Sequence, residues 1–494
     1  MKKNMILLFF CAGLILGVAS LAPAIDDLFG IQDLRFNGYF KNATAMRLHH
    51  DLDLMKIDNI LDLRLTYEPK SLPFKFHIDL RPEYDGAYDM QHKGVGSDTG
   101  LKPRDRGIGI GREQLGYDGS FPGSLKGNLR ENWSQSYMAR TFLLRELWVD
   151  FRIGGLDLKL GKQQVAWGKT DGYKLLDILN PTDYREFLLM DSEDSRIPIW
   201  MANIKYYFTP KHNVQFIWMP NYEPNFQALP GSIWALNPVN SVQLLGTSPI
   251  AHVVGKKPAN TLQNSDIAFR YEGQIGEKFD FTVNYLHRWD QNNVFPALIR
   301  IIPAPFTLVF LEEPERQNIF GGSFTTTFDN LLGMEDLVIR GEVAYFYHKT
   351  MYMLEPNNFH PVKRDNLQAV IGFDKNVWFL GKAWMVSLQV FEDLIFNYPG
   401  FPISSLGGGK QKTHEESFTA LVGTDFSNQR WKPDVLFIWN LTQNGGWVRP
   451  RVSYEISDKL KATVGFNVFW GKQDDSFGQM TVNDQVFAEI KWSF

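Results

Sequence analysis

Apolar and polar residues alternate in steps of two over many short segments of the chain. In 74–80, phenylalanine, isoleucine and leucine take every second position, and lysine, histidine and aspartate lie between them. The stretch 147–153 repeats the pattern, Gly154-Gly155 follows, and the alternation resumes at once. Successive side chains of a strand point to opposite faces, so this period predicts strands with one apolar and one polar face, joined here as a hairpin.

Such segments number about 18, and short turns alternate with long loops between them. Predicted short turns lie at 154–155, 209–212, 276–278 and 457–459. We therefore predict an all-β fold, a transmembrane antiparallel β-barrel of about 16–18 strands, with short periplasmic turns and long extracellular loops. The barrel is expected to be one domain over 25–494. A soluble sandwich or propeller is the competing interpretation, but it leaves the charge pairs along the polar faces unexplained.

In lipid the outward face of a barrel must be apolar, so the polar face is predicted to line the lumen. The charged residues on that face are Lys75, Asp79, Arg81, Asp150, Arg152, Lys159, Arg340, Glu342, Arg449 and Arg451. A barrel of this size leaves room for an aqueous lumen. The mixed signs indicate a wall with no strong preference for anions or cations.

The beginning of the chain has the features of an export signal. Lys2 and Lys3 precede an apolar run, and the small residues at 22–24 suit cleavage, so we expect 1–24 to be a signal peptide. A lipoprotein signal around Cys11 is the alternative, but Phe10 stands where a small residue is expected.

The last segment, 486–494, stays apolar at alternate positions to its final residue. It resembles the closing strand of Gram-negative outer-membrane β-barrels. The resemblance implies an outer-membrane location, and it implies that Phe494, Trp492 and Ile490 form a signal read by the barrel assembly machinery.

Composition argues against several kinds of chemistry. Cys11 is the only cysteine, so the exported chain has no disulfide, thiolate metal site or cysteine nucleophile. The net charge of −4 becomes −6 without Lys2 and Lys3, which argues against a nucleic-acid partner. The glycines of 107–111 lack a strand-to-helix context, and the adjacent His49 and His50 would point to opposite faces of a strand. We predict no enzymatic activity and no cofactor.

Short motifs with specific spacing occupy 161–200. They are Gly161-Lys162-Gln163-Gln164, Trp167-Gly168, Asp171-Gly172, Asn180-Pro181 and the Asp-Ser-Arg-Ile-Pro-Ile-Trp run at 194–200. With these motifs the chain resembles a family of large, uncharacterised Gram-negative outer-membrane β-barrels. The resemblance implies transport of hydrophobic or amphipathic molecules with a periplasmic or inner-membrane export partner, and it supplies no catalytic residues.

The loop predicted over 169–198 is dense in charge. Its charged candidates are Asp183, Arg185, Glu186, Asp191, Glu193, Asp194 and Arg196. Three interpretations remain open: a constriction folded into the pore, a solvated outer loop paired with itself or with lipopolysaccharide counterions, or a Ca²⁺ site of Asp191, Glu193 and Asp194.

Residues 294–311 are apolar except for Arg300 and Thr307, and three prolines interrupt the alternation. We predict neither a regular strand nor a helix here. Because an exposed loop of this composition would promote aggregation, we expect its apolar residues to be buried. They would form either a path for an apolar substrate or a lid packed on other loops. The candidate path residues are Phe295, Ile299, Ile302, Phe306 and Phe310.

Three functions therefore compete for a barrel set in outer-membrane lipid and lipopolysaccharide. The first is a channel or transporter for hydrophobic or amphipathic compounds, and the second is a porin for small polar solutes. The third is a barrel that serves as a scaffold for partner proteins.

Overall fold

The computed structural model describes residues 33–48, 54–85, 143–227, 234, 236, 250–255, 258–292, 294–302, 307–331, 333–355, 358–398, 400, 411–473 and 475–494. The expected signal peptide, the two adjacent histidines and the glycine-rich stretch 107–111 lie outside these residues. The strands are β1 (Leu34–Arg47), β2 (Leu54–Tyr67), β3 (Phe74–Leu80), β4 (Glu83–Asp85), β5 (Leu144–Ile153), β6 (Leu156–Gln163), β7 (Asp183–Tyr184), β8 (Ile199–Thr209), β9 (His212–Met219), β10 (Phe226–Gln227), β11 (Ile250–Gly255), β12 (Asp266–Ile275), β13 (Phe279–Trp289), β14 (Val294–Ile302), β15 (Thr307–Glu313), β16 (Arg316–Leu331), β17 (Met334–Glu355), β18 (Asn358–Phe379), β19 (Lys382–Ile395), β20 (His414–Gly423), β21 (Trp431–Asn440), β22 (Gly445–Glu455), β23 (Leu460–Trp470) and β24 (Gln485–Ser493). The described helical elements are α1 (Ser192–Ser195) and the 3₁₀ turns Leu262–Asn264 and Gly478–Asn483. No helix in these ranges is long and apolar enough to cross a membrane.

Nineteen of these strands form one sheet that closes on itself. Strands β3 and β4 both pair with β2 and together occupy one strand position of the barrel, so the barrel has eighteen strand positions. Its neighbouring strands are antiparallel, and β24 pairs with both β23 and β1. The predicted fold, an antiparallel β-barrel of about 18 strands, is confirmed.

The seam between first and last strands runs to the end of the chain. Gly38 and Phe494 exchange two backbone hydrogen bonds, of 3.2 and 3.0 Å, and the Phe494 ring lies 5.8 Å from that of Phe36. A Cβ at position 38 would come within 2.1 Å of the Asp62 carbonyl oxygen. Glycine is therefore required where β1 passes this close to β2.

Burial alternates along the strands as the sequence predicts. On β23, Val464 and Phe466 are exposed on the outside, while the flanking Thr463 and Asn467 are buried on the inside. Ile490 of β24 is likewise exposed. An exposed apolar outer face and a polar interior are the arrangement of a transmembrane barrel.

The connections differ at the two ends of the barrel. The predicted turns at 154–155, 209–212, 276–278 and 457–459 all lie at one end, called the short-turn end below. The strand ends that the longer connections join, including the ends of β4, β6 and β9, lie at the opposite end, called the long-loop end below.

The prediction of irregular structure is wrong for 294–302 and 307–311, and 303–306 lie outside the described residues. Strands β14 and β15 form an antiparallel hairpin, and β11 adds to β15 in parallel, outside the barrel sheet. The pairing of β14 shifts register between Val294 and Ala297, where Pro296 stands, and again between Leu298 and Arg300. These shifts disturb the alternation but do not prevent pairing, because a β-bulge accommodates Pro296, which has no backbone N–H to donate.

Candidate functional site

Residues 164–198, called the lumenal segment below, leave the barrel wall after β6, cross its interior and return as β8. Asn180 ties the two arms of this excursion together near the wall. Its Oδ1 accepts the N–H of Val165 at 2.8 Å, and its Nδ2 donates to the carbonyls of Gln163 and Ile197 at 3.1 and 2.9 Å. A single amide thus joins the outgoing and returning chain, which accounts for the asparagine of the Asn-Pro motif.

The first part, the apolar arm (165–179), packs against one half of the wall. Trp167, Leu175, Leu176 and Leu179 are buried in one cluster with the inward apolar side chains of β8, β9, β12, β13 and β16–β19. Gly321 of β16 leaves space for this contact, since a Cβ there would lie 2.6 Å from Cδ2 of Leu176. Burying each leucine contributes about 1.5–3 kcal/mol.

Polar groups of the wall orient the backbone of this arm. The Glu342 carboxylate accepts the backbone N–H of Lys169 and that of Leu176, the latter at 3.1 Å. Arg340 donates to the Lys169 carbonyl and pairs with Asp171. The Trp167 indole N–H donates to Gln215 at 3.0 Å. Two predicted lumenal residues, Arg340 and Glu342, therefore hold the segment.

The second part, the charged arm (183–196), meets the opposite wall through ion pairs. Asp194 accepts from Lys41 of β1 at 2.9 Å and from Arg81 at 2.7 Å, and Lys56 of β2 lies 2.6 Å from Glu186. Burial would raise the pKa of the Asp194 carboxyl, but Lys41 and Arg81 outweigh that effect and hold the pKa below its ordinary value. The Asp194 carboxylate is therefore favoured in its ionised form, and its ion pairs attach the charged arm to this wall.

Two arginines of the charged arm pair within the segment. Arg185 forms a fork on Asp183, with Nη2 at 2.5 Å from Oδ2, and both side chains are buried. Arg196 pairs with Asp177 at 2.5 Å, which links the charged arm to the apolar arm. The charges predicted from the sequence thus serve to fold the segment as well as to dock it.

The three carboxylates considered as a Ca²⁺ site do not converge. Asp194 faces β1 and Arg81, Asp191 lies 3.6 Å from both Arg449 and Arg451, and Glu193 is largely exposed. Within the described residues no group of three or more His, Cys, Asp or Glu side chains could hold a metal ion. The Ca²⁺ interpretation is therefore wrong for these residues, because each acid is directed to a different neighbour.

Several other predicted lumenal residues do not touch the segment. Lys159 and Lys75 lie 3.8 and 6.0 Å from the ring of Trp148, and Asp150 pairs in register with both lysines. Arg152 pairs with Asp157 at 3.4 Å beside the 154–155 turn and is exposed. Asp79 lies deeper, 3.7 Å from Arg64. These residues line the barrel between the segment and the short-turn end.

The predicted apolar path falls on the β14–β15 hairpin. Phe306 lies outside the described residues, and only the backbone is described at Phe295, Ile299, Ile302 and Phe310. Strand β14 runs close to β17 and β18. The apolar path remains a prediction.

Two cavities flank the segment. The larger, of about 270 Å³, lies toward the long-loop end, and its wall combines Tyr173, Phe346 and Phe391 with Asp290 and Lys349. The smaller, of about 130 Å³, lies between the charged arm and the wall of β1, β2 and β22–β24, with charges of both signs around it. The walls of both cavities include Asp183 and Met190, so the cavities adjoin there.

Burial perturbs one amine of the segment. The Lys174 ammonium donates to Thr182 and Ser195 at 3.2 and 3.0 Å. Burial lowers its pKa to about 8, and the nearby Asp177 only partly offsets this effect.

Sequence reasoning missed Lys41, Lys56 and Arg145, which all contact the segment. Arg145 donates to the carbonyl of Glu193 at 2.6 Å. Lys41 and Lys56 stand on the polar faces of β1 and β2, so the alternation that identified Lys75 could have found them. Arg145 sits where the β3–β5 register shifts, next to the pair Leu80 and Leu144, and alternation alone does not locate such a residue.

Comparison with known proteins gives one family and several barrels. The family model described as "Protein of unknown function (DUF1302)" matches residues 49–494. No curated protein matches the chain.

Among solved structures, the outer membrane protein opdK of Pseudomonas aeruginosa is 8% identical, with 94% of this chain and 99% of that chain covered and a TM-score of 0.47. OccAB2 of Acinetobacter baumannii is 10% identical, with 94% and 98% covered and a TM-score of 0.48. OccK8 (OprE) of P. aeruginosa is 8% identical, with 94% and 98% covered and a TM-score of 0.46. At these identities and TM-scores, the three structures support no inference about the function of this chain.

Proposed function

This chain belongs to the DUF1302 family of proteins of unknown function, and we propose that it is an outer-membrane channel whose lumen is restricted by the lumenal segment. One observation carries the proposal: the segment crosses the barrel and is attached to both walls. Leu176 and Glu342 hold it on one side, and Lys41 and Arg81 hold it on the other. A solute that passes through must therefore go around the segment or displace part of it.

Amphipathic compounds are the solute class that the lining favours. The larger cavity offers an apolar surface at Tyr173, Phe346 and Phe391 beside a polar one at Asp290 and Lys349. A site that binds a small organic solute typically combines apolar walls with a few placed polar groups. We further propose that a periplasmic or inner-membrane export partner sets the direction of transport.

The test replaces 169–195 by a short Gly-Ser linker and measures single-channel conductance in planar bilayers. The wild type is expected to conduct weakly or to flicker, and the replacement is expected to give a wide, steady current. The same proteins in liposomes that enclose a fluorescent amphipathic dye should release it faster after the replacement. Equal conductance of the two proteins would contradict the proposal, provided that both form heat-modifiable barrels.

A porin for small polar solutes is the second candidate, and the smaller cavity favours it. Its wall carries cations such as Lys56 and Arg451 and anions such as Glu186 and Glu489. A wide, steady current through the wild type, with no effect of amphipathic solutes on it, would favour this candidate over the first.

A further inference from the structure

Two arginines stand side by side on the lumenal face of β22 and face the smaller cavity. Arg451 is well partnered, because its Nε lies 2.9 and 2.8 Å from the two oxygens of Asp434. Arg449 is not, because its Nε is buried and has no hydrogen-bond partner among the described residues. The guanidinium of Arg449 also lies 5.5 Å from the Trp447 ring. The wall thus presents a planar donor group with unused hydrogen-bonding capacity.

The one carboxylate shared by these arginines is held loosely. Asp191 Oδ1 lies 3.6 Å from Nη1 of each arginine, which is longer than a hydrogen bond. The Asp191 side chain is 62% exposed, whereas that of Arg449 is 11% exposed. Asp191 is also the N-cap residue of α1, yet its side chain makes no capping hydrogen bond. Aspartate usually caps at this position, so here its carboxylate is directed to the arginines instead.

We propose that Asp191 occupies an oxyanion-binding site formed by Arg449 and Arg451, and that a carboxylate or phosphate head group of the solute displaces it. Guanidinium groups bind such head groups with paired, planar hydrogen bonds. This inference rests on the proposed channel function and narrows its substrates to amphipathic compounds with an anionic head group.

The positions of the two cavities suit such a compound. The smaller cavity takes the head group, and the larger one, which it adjoins at Asp183 and Met190, takes the apolar body. Glu489 lies in the wall of the smaller cavity and opposes an anion there. Binding is therefore weak, as passage through a channel requires.

The test measures binding directly, by calorimetry on the full-length barrel in detergent with butyl phosphate as the probe. Asp191→Asn removes the internal competitor and is expected to tighten binding about two- to fivefold, the range of an exposed ion pair. Arg449→Gln removes one of the two guanidinium groups of the site and is expected to abolish measurable binding. Glu193→Gln removes an equal charge two residues away and is expected to leave the affinity unchanged. Butyltrimethylammonium should bind none of these proteins.

Equal tightening in Asp191→Asn and Glu193→Gln would overturn the inference, because the effect would then be one of net charge. Unchanged affinity in Asp191→Asn would overturn it as well. If Arg449→Gln fails to form a heat-modifiable barrel, the comparison of Asp191→Asn with Glu193→Gln decides alone, since both side chains are exposed. If the binding pattern is as predicted but the linker replacement does not conduct, the channel function is rejected and the oxyanion site is kept. If the linker replacement conducts but the binding pattern is absent, the oxyanion site is rejected and the channel function is kept.

Discussion

The two arms of the lumenal segment meet opposite walls of the same barrel by different physical means. The apolar arm buries Trp167 and three leucines, and its backbone N–H groups find an acceptor in Glu342. The charged arm depends on ion pairs whose desolvation offsets much of their attraction, and its Asp191 is held at 3.6 Å only. The apolar contact therefore anchors the segment, and the charged contact is the side that we expect a solute or acid to loosen.

The largest expected effect comes from placing a charge in the apolar contact. In Leu176→Asp the carboxylate would be buried against Ile319 and Ala344 without a partner, at a cost of several kcal/mol. The segment should leave the wall, and the open fraction in planar bilayers should rise strongly. Leu176→Met conserves volume and polarity, costs less than about 1.5 kcal/mol and serves as the control. A closed Leu176→Asp channel would show that the apolar arm is not the anchor.

The next effect concerns the ion pairs of Asp194, which attach the charged arm to Lys41 and Arg81. Asp194→Asn leaves Lys41 and Arg81 short of a partner and should destabilise docking by about 3 kcal/mol, the low end for a buried pair because Asp194 is partly exposed. The open fraction should rise, but less than in Leu176→Asp. Adding Asp194→Asn to Lys41→Met should reduce the docking free energy by less than adding it to the wild type. Equal reductions in the two backgrounds would mean that Lys41 and Asp194 are not coupled.

The same carboxylate predicts a response to acid. Its pKa is held below the ordinary 3.8 in the docked state, so its stabilising contribution is complete above about pH 5 and is lost progressively as the pH falls. The wild-type open fraction should therefore increase in acid. Asp194→Asn should show a smaller increase over the same range, and identical pH profiles would assign the response to other groups.

A glycine tests the fit of the apolar arm with a smaller perturbation. In Gly321→Ala the new methyl group would meet Leu176, and it would also meet the Val343 carbonyl at 2.9 Å. We expect a loss of about 1–3 kcal/mol, as for other overpacked sites, and a modest rise in the open fraction. Gly322→Ala is the matched control, because a Cβ there meets only the Thr282 carbonyl. If both variants open the channel equally, strain in the barrel wall is the cause.

The smallest effect expected is the response of Lys174 to alkali. Its pKa of about 8 in the docked state lies below the ordinary 10.5, so the docked state binds fewer protons than the undocked one between these values. Docking should therefore strengthen as the pH rises from about 8 to 10.5, by about 1 kcal/mol after solvent screening. The difference in open fraction between the wild type and Lys174→Met, measured from about pH 8 to 10.5, reports the effect. A difference that stays constant over this range would contradict the assignment of the response to Lys174.

The barrel was predictable because its pattern is local. Side chains alternate along every strand, and lipid on one side and water on the other impose opposite chemistry on the two faces, so the inward positions of Arg340, Glu342 and Arg81 follow from counting in steps of two. The same alternation did not predict the hairpin of β14 and β15, because bulges at and after Pro296 interrupt the period of two residues.

The sequence by itself determined the closed sheet, the facing of its residues and the concentration of charge in 183–196. Only the tertiary structure decided that this charge enters the barrel, that Asp194 selects Lys41 and Arg81, and that Asp191 is left with Arg449 and Arg451. Lys41, Arg81, Arg449 and Arg451 each lie more than one hundred positions from their partner in the segment, and no period along the chain records those distances. The difference between the two arms was also decided by the tertiary structure. The anchoring of Leu176 depends on a glycine in β16, and the two residues meet only when the barrel is closed.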